Sequence, residues 1–444
     1  MTIISIRFHL KSYIRTFLYK DTMIAKLSEK KSYPWIVVGL LWFVALLNYL
    51  DRQMLSTMKS SMMIDIPELA KAENFGMLMA IFLWIYALMS PISGIIADRM
   101  NRKNMIVCSL FVWSGVTMAM GYATTFNQIY VLRAIMGVSE AFYIPAALSL
   151  IADYHQGNTR SFAIGIHTTG IYLGQALGGF GATVSQHFSW KFTFHSVGLI
   201  GVVYSIILIF FIKEKKAYAF DTSQKLSMGM EFRQMFKGLG MLFGNISFWV
   251  LLFYFSAPSL PGWAAKNWLP TLFSETLDMD MSMAGPIATV TIAMSSFVGV
   301  LIGGVVSDKW VMKHLKGRIY TSVIGLSLTI PALFLLGNGS SLEAILVGGM
   351  LFGLGFGIFD TNNMPILCQF VSPRYRATGY GIMNFVGISA GAVITEYLGK
   401  AADNGGMGRV FVLLIIVVVV AIALQLMTLH PKTVNMTEEI VPSE

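Results

Sequence analysis

The chain reads as an all-α polytopic membrane protein: twelve transmembrane helices in two pseudo-symmetric six-helix bundles. Three observations predict this. Of 444 residues, 55% are hydrophobic and only 12% charged, about half the charged share of a soluble chain. The apolar residues fall in blocks of about 20 or more, enough for a helix rising ~1.5 Å per residue to cross the hydrocarbon. Short motifs of the first half recur in the second at nearly one spacing.

The expected spans are 35–58, 74–97, 105–123, 127–153, 161–185, 192–213, 245–275, 284–307, 318–338, 342–371, 376–399 and 408–430. An arm, 1–34, precedes the first bundle, 35–213. A central loop, 214–244, follows; it is the one long polar stretch inside the chain. The second bundle is 245–430 and the tail 431–444. The first 34 residues are basic and mixed, and lead straight into a full-length span at Trp35, unlike a cleaved signal. Met23 would make a natural start, leaving 1–22 as either an upstream extension or a disordered arm.

The net charge of +9 invites a nucleic-acid reading, but its placement argues otherwise. With the N-terminus in the cytoplasm, cytoplasmic segments hold 24 Lys and Arg, outside loops hold 5, and Arg52, Arg133 and Lys266 lie within spans. That asymmetry is the positive-inside bias. The expectation is a multi-pass protein of the cell (inner) membrane with both termini cytoplasmic, monomeric, surrounded by lipid and without a nucleic-acid partner. Cys108 and Cys368 lie in apolar segments and offer neither a disulfide framework nor a metal cluster, so no metal or cofactor is expected. The sequence has no phosphate-cradling Gly-x4-Gly-Lys-Ser/Thr loop, no His-Glu-x2-His pair and no Gly-x-Ser-x-Gly elbow, which argues against an enzyme or an ATP-driven pump.

The repeat divides the spans six and six. Gly94-x3-Asp98-Arg99 after the second span returns as Gly304-x3-Asp308-Lys309 after the eighth. Arg160-x4-Gly165 opening the fifth span returns as Arg376-x4-Gly381 opening the eleventh. Halves built of inverted three-helix units, with solute held between them, are the build of many secondary transporters. The Gly94, Asp98, Arg99 turn and its echo at Asp308 and Lys309 read as cytoplasmic latches that break as the halves rock, or else as topology signals alone.

Charge inside the spans carries the functional expectation. Arg133 and Glu140 sit seven residues apart, two turns, and so project from nearly one face of the fourth span. Asn48-Tyr49-Leu50-Asp51-Arg52 ends an apolar run in the first. Asp51 lies about 24 Å along its span, and Arg133 about 9 Å from the opposite end of its own, which brings them to similar heights. Ionised groups in hydrocarbon usually face a protein interior or a water-filled path, so these four are expected around a central opening. Such an acid can take a proton, and an arginine can grip an anion; a purely structural charge network is the alternative.

These motifs resemble the major facilitator superfamily over about 35–430. Within it, Asn-Tyr-x-Asp-Arg in the first span and Arg133-x6-Glu140-Ala141-x3-Pro145 in the fourth resemble the anion:cation symporter family of hexuronate and galactonate permeases. The resemblance implies Asp51 and Glu140 as proton-linked carboxylates, Arg52 as the anion ligand, and Tyr86 as a tyrosine facing the solute. There are departures. Asn101 stands where the superfamily turn has glycine. Ile171 stands where several sugar-acid carriers have glutamine, the nearest amide being Gln175. Arg-Met-Asn-Arg-Lys, and Asp153 with Asn158-Thr159-Arg160, look as much like the spinster-like group.

In the seventh span Pro258, Pro261 and Gly262 are expected to interrupt the helix before Lys266. Lys266 reads as a second anion ligand or as a residue snorkelling to the outer interface. In the tenth span Asp360, Asn362 and Asn363 are cavity candidates, with packing as the alternative; Asn384 in the eleventh is similar. The expected activity is proton-coupled symport of a small organic anion such as a sugar acid. The alternatives are a spinster-like carrier of lysolipid or another amphipathic solute, a neutral-sugar or sugar-phosphate permease, and a non-transporting sensor.

Overall fold

The computed structural model describes residues 31–155, 159–214, 240, 242–244, 246–371 and 376–434. Most of the expected N-terminal arm and of the central loop, and the end of the tail, lie outside them. The first half contains α1 (Tyr33–Leu55), α2 (Lys59–Asp65), α3 (Ala72–Arg99), α4 (Arg102–Met120), α5 (Phe126–Glu140), α6 (Tyr143–Tyr154), α7 (Arg160–Gly178), α8 (Gly181–His187) and α9 (Trp190–Phe211). The second contains α10 (Ile246–Leu277), α11 (Met281–Val311), α12 (Gly317–Asn338), α13 (Leu342–Asp360), α14 (Asn363–Phe370), α15 (Arg376–Asp403) and α16 (Met407–Thr428).

Among the described residues, ten stretches are long and apolar enough to cross a membrane, counting 126–154 and 342–370 each as one. The other two expected spans are α7 with α8, and α10. Both are helical but diluted by polar groups: Arg160, His167 and Gln175 in α7, and Lys266 and Asn267 in α10.

Prolines explain the breaks. The fourth and tenth spans are each two helices rather than one, divided after Glu140 and Asp360. A proline ring clashes with the carbonyl four residues back. For Pro145 and Pro365 that carbonyl belongs to Ala141 and Thr361, the residues at which the helices stop. The seventh span corrects the expectation of an interruption: α10 runs unbroken through Pro258, Pro261 and Pro270. It packs along α15 and α16.

Helices pack mainly within their half, α1 on α7 and α4 on α9, then α11 and α12 on α13. Close approach of α1 and α7 needs glycine: a Cβ on Gly174 would sit 2.3 Å from the Leu46 carbonyl oxygen. The halves meet along α3 with α15, and α7 and α8 with α11. Hydrogen bonds tie them at the end away from the start of α1, here the far end. Thr183 Oγ1 donates to the Ser282 carbonyl at 2.8 Å. That carbonyl is free because Pro286, four residues on, has no N–H to offer it. Gln186 Nε2 donates to Asp280 Oδ1 at 2.5 Å, and Asp403 accepts from the first amides of α3.

Candidate functional site

The Arg52 guanidinium is the centre of the first-half cluster. Its Nε donates to Glu140 Oε2 at 2.6 Å, and Asn48 Nδ2 donates to the same oxygen at 2.9 Å. Asn48 and Arg52 are one turn apart on α1, so both reach the acid at the end of α5. The guanidinium lies 4.6 Å from the Tyr86 ring centroid and 4.9 Å from those of Tyr49 and Phe82. These faces supply cation–π attraction in place of water. Asp51, 2% exposed, accepts from Thr117 Oγ1 at 3.2 Å. Arg133 lies over Phe82 at 4.6 Å, and its Nη1 meets Met136 Sδ at 3.2 Å. Among the described residues of this cluster one ion pair is seen, Arg52 with Glu140. Glu140 Oε1, Asp51 Oδ1 and Arg52 Nη2 have no partner among the described residues.

A central cavity of about 140 Å³ lies between the halves. Its wall includes Tyr49, Tyr172, Gln175, Lys266, Phe356 and Asp360. Here the structure corrects an expectation. Asp51, Glu140 and Arg133 are buried and form no part of that wall, and Arg52 shows 12% of its side chain. Tyr49, three residues before Arg52 on the same helix, takes the place at the wall. The cluster packs beside the cavity because aromatic rings stabilise its cations without water.

Lys266 is placed at the wall and not at an outer interface. Its Nζ stands 5.1 Å from the Trp263 ring and 5.6 Å from Phe356. Gly262 makes this possible, since a Cβ there would lie 2.6 Å from the Phe356 ring. Gln175 also lines the cavity. Asn363 does not: it is buried at the helix break, donating from Nδ2 to Asp360 Oδ1 at 3.0 Å. Asn384 is half-buried beside Tyr380, one turn away on α15. Toward the far end the cavity narrows to a void of about 10 Å³ between Gln53, Gln175, Lys266 and Thr289.

The expected latch residues are only partly placed. Gly94, Asp98 and Arg99 lie in the last turns of α3, and their side chains are outside the described residues. In the second half Asp308 Oδ1 is 3.5 Å from Arg318 Nη2, while Lys309 is exposed. Asn101, the departure in that turn, caps α4 by accepting from the Asn104 amide at 2.9 Å.

A family model described as Major Facilitator Superfamily matches residues 41–396. The chain belongs to the Major Facilitator Superfamily. This facilitator is 24% identical over 398 residues to the sphingosine-1-phosphate transporter SPNS2 of Xenopus tropicalis, covering 83% of this chain and 74% of that protein. It is 25% identical over 410 residues to the D-galactonate transporter of Escherichia coli O6:H1 strain CFT073, covering 81% and 93%. A crystal structure of a bacterial homologue of the human lysosomal transporter Spinster superposes with a TM-score of 0.72 at 20% identity, covering 90% and 97%. That likeness concerns the fold. The facilitator is a multi-pass membrane transporter of a small molecule, not an enzyme.

Tyr49, Tyr172 and Phe356 were not among the expected site residues. Nothing in an aromatic residue on an apolar helix marks it as cavity-facing. Tyr49 carried one usable signal, its place beside Asn48, Asp51 and Arg52.

Proposed function

We propose that this facilitator is a proton-coupled symporter of a small organic anion of the sugar-acid class, working by alternating access of its two six-helix halves. One observation carries the reading: Arg52, one residue behind the cavity wall, is held by Glu140 at 2.6 Å. A proton on Glu140 removes the charge that holds the guanidinium, which can then turn past Tyr49 to a solute carboxylate. Departure of the anion restores the pair and expels the proton. Asp51 serves as a relay to Glu140, and Arg133 tunes both acids by its positive charge. Tyr86, Gln175 and Lys266 contact or orient the solute, with Asn363 and Asn384 supporting the wall. Gly94, Asp98, Arg99, Asp308 and Lys309 act as latches at the cytoplasmic end. The termini face the cytoplasm of a cell whose inner membrane holds the monomer, in keeping with the basic residues counted above.

The similarity to SPNS2 favours a second reading, an amphipathic or lysolipid solute. The cavity volume of about 140 Å³ stands against it, because pockets that take drug-sized ligands measure about 300–1,000 Å³. Uptake of labelled galacturonate and galactonate into proteoliposomes decides. Under the proposal uptake needs an inward proton gradient, and Glu140→Gln still exchanges solute but accumulates less. Accumulation at the wild-type level in Glu140→Gln would remove Glu140 from the coupling path. Uptake of lysolipid with no uptake of either sugar acid would favour the second reading.

A further inference from the structure

The second half carries an acid and a base that repeat the arrangement of Glu140 and Arg52. Glu140 is the last residue of α5, and Asp360 is the last residue of α13. They lie 220 residues apart, and each is followed five residues later by a proline, Pro145 or Pro365. The bases correspond too: Arg52 is on the first span and Lys266 on the seventh, 214 residues further on. The internal repeat thus gives Glu140 and Arg52 of the first half corresponding residues in the second, Asp360 and Lys266.

The two couples differ in what they face. Glu140 is buried against Arg52, whereas Asp360 is exposed to the cavity and shares its wall with Lys266. Asn363 holds one Asp360 oxygen at 3.0 Å and so fixes the carboxylate at the helix break. The titratable and charged groups acting on Asp360 are Lys266 and Tyr254 of α10, Tyr49 of α1, Tyr172 of α7 and Tyr380 of α15. Lys266 is the one cation among them.

Charge balance then dictates an order of events. With Lys266 positive and Asp360 negative, the wall is neutral. An anion entering alone leaves one uncompensated negative charge amid a low-dielectric bundle, which is costly. A proton on Asp360 makes the wall positive by one, and the anion restores neutrality.

We propose that Asp360 is a second proton-carrying carboxylate of the transport cycle, and that its protonation leaves the charge of Lys266 uncompensated for the solute anion. One proton leaves the outer solution, adds to an Asp360 oxygen, and passes to the inner solution as the anion leaves Lys266; no bond of the solute is broken. This rests on the anion-symport reading and adds one proton to any that Glu140 carries.

The test is galacturonate accumulation in proteoliposomes at a one-unit pH gradient with the membrane potential held at zero. The steady-state ratio is read, not the rate. Each coupled proton multiplies that ratio by about tenfold, since one pH unit and one decade of concentration are the same free energy. Asp360→Asn should lower the ratio about tenfold, and Asp360→Glu should restore it. Asp51→Asn/Glu140→Gln should accumulate galacturonate to a ratio about tenfold below wild type, and no lower. A wild-type ratio in Asp360→Asn overturns the proposal. So does loss of galacturonate counterflow in that variant, because the carboxylate would then serve carrying and not coupling. Where Asp360→Asn cannot be recovered as a monodisperse protein, the double variant decides: accumulation there supports the proposal and its absence overturns it. If the wild type moves neither galacturonate nor galactonate, the anion-symport reading itself fails and this inference with it.

Discussion

Gln53 on α1 donates from Nε2 to the backbone carbonyl of Lys266 on α10 at 2.9 Å. The acceptor is available because the residue four further on is Pro270, which has no N–H to close that helical bond. A proline in one half therefore creates a docking point for the other, next to the narrow void at the far side of the cavity. Gln53→Ala should leave the carbonyl unpaired at a cost of about 1–3 kcal/mol, which shifts a two-state equilibrium about 5- to 150-fold. Spin labels at Lys71→Cys and Asn404→Cys should report a longer far-end distance in the variant. An unchanged distance distribution would show that the bond does not hold the halves together.

Asp403 closes the same end by another device. Among the described residues no side chain of its own first half caps α3; instead Asp403 accepts from the amides of Ala72 at 2.7 Å and Glu73 at 2.9 Å. Loss of a cap costs about 0.5–2 kcal/mol. Asp403→Ala should open the far end about 2- to 30-fold more often, read by the same label pair. Lys400→Ala, which removes a half-exposed pair with Glu73 at 3.6 Å, should move it little, because such pairs contribute about 0–1 kcal/mol.

Removing Arg52 should be worse than removing Arg52 and Glu140 together. Arg52→Ala leaves Glu140, fully buried, with only Asn48 as a donor. An uncompensated buried charge costs about 3–5 kcal/mol, while a neutral buried pair costs far less. The melting point of purified Arg52→Ala should fall below that of Arg52→Ala/Glu140→Gln. The reverse ranking would mean that Glu140 gains nothing from the guanidinium.

Helix contact on the first span depends on where glycine stands. A Cβ on Gly174 meets the Leu46 carbonyl oxygen at 2.3 Å, whereas one on Gly39 meets nothing within 4 Å. Gly174→Ala should destabilise by about 1–3 kcal/mol through backbone displacement. Gly39→Ala should be neutral or gain about 0.5–1 kcal/mol from helix propensity. Thermal unfolding of the two variants side by side checks the contrast; equal melting points would show that α1 and α7 can separate without cost.

Much of this was legible from residue order. The blocks of apolar length, and the repeat at Gly94 and Gly304, predicted an all-helical bundle, because hydrocarbon leaves the backbone no partners but its own. Arg52, Glu140 and Lys266 stood out for the same reason: a charge in an apolar span has few places to go. The breaks after Glu140 and Asp360 were within reach too, since Pro145 and Pro365 sit at a fixed distance from the carbonyls they displace, yet hydropathy alone runs straight across them. The prolines of α10 show the converse, because whether a helix survives a missing hydrogen bond depends on its neighbours.

The sequence by itself determined the class of protein, the location of most spans and the residues that carry charge within them, because helix length and the cost of unpaired polar groups are properties of local chain. Only the tertiary structure decided that Glu140 holds Arg52, that Tyr49 stands between that pair and the cavity, and that Lys266 and Asp360 share a wall. Arg52 and Glu140 are 88 positions apart, and Lys266 and Asp360 are 94. Those pairings follow from how helices rotate about their axes when side chains pack, which no local pattern of residues encodes.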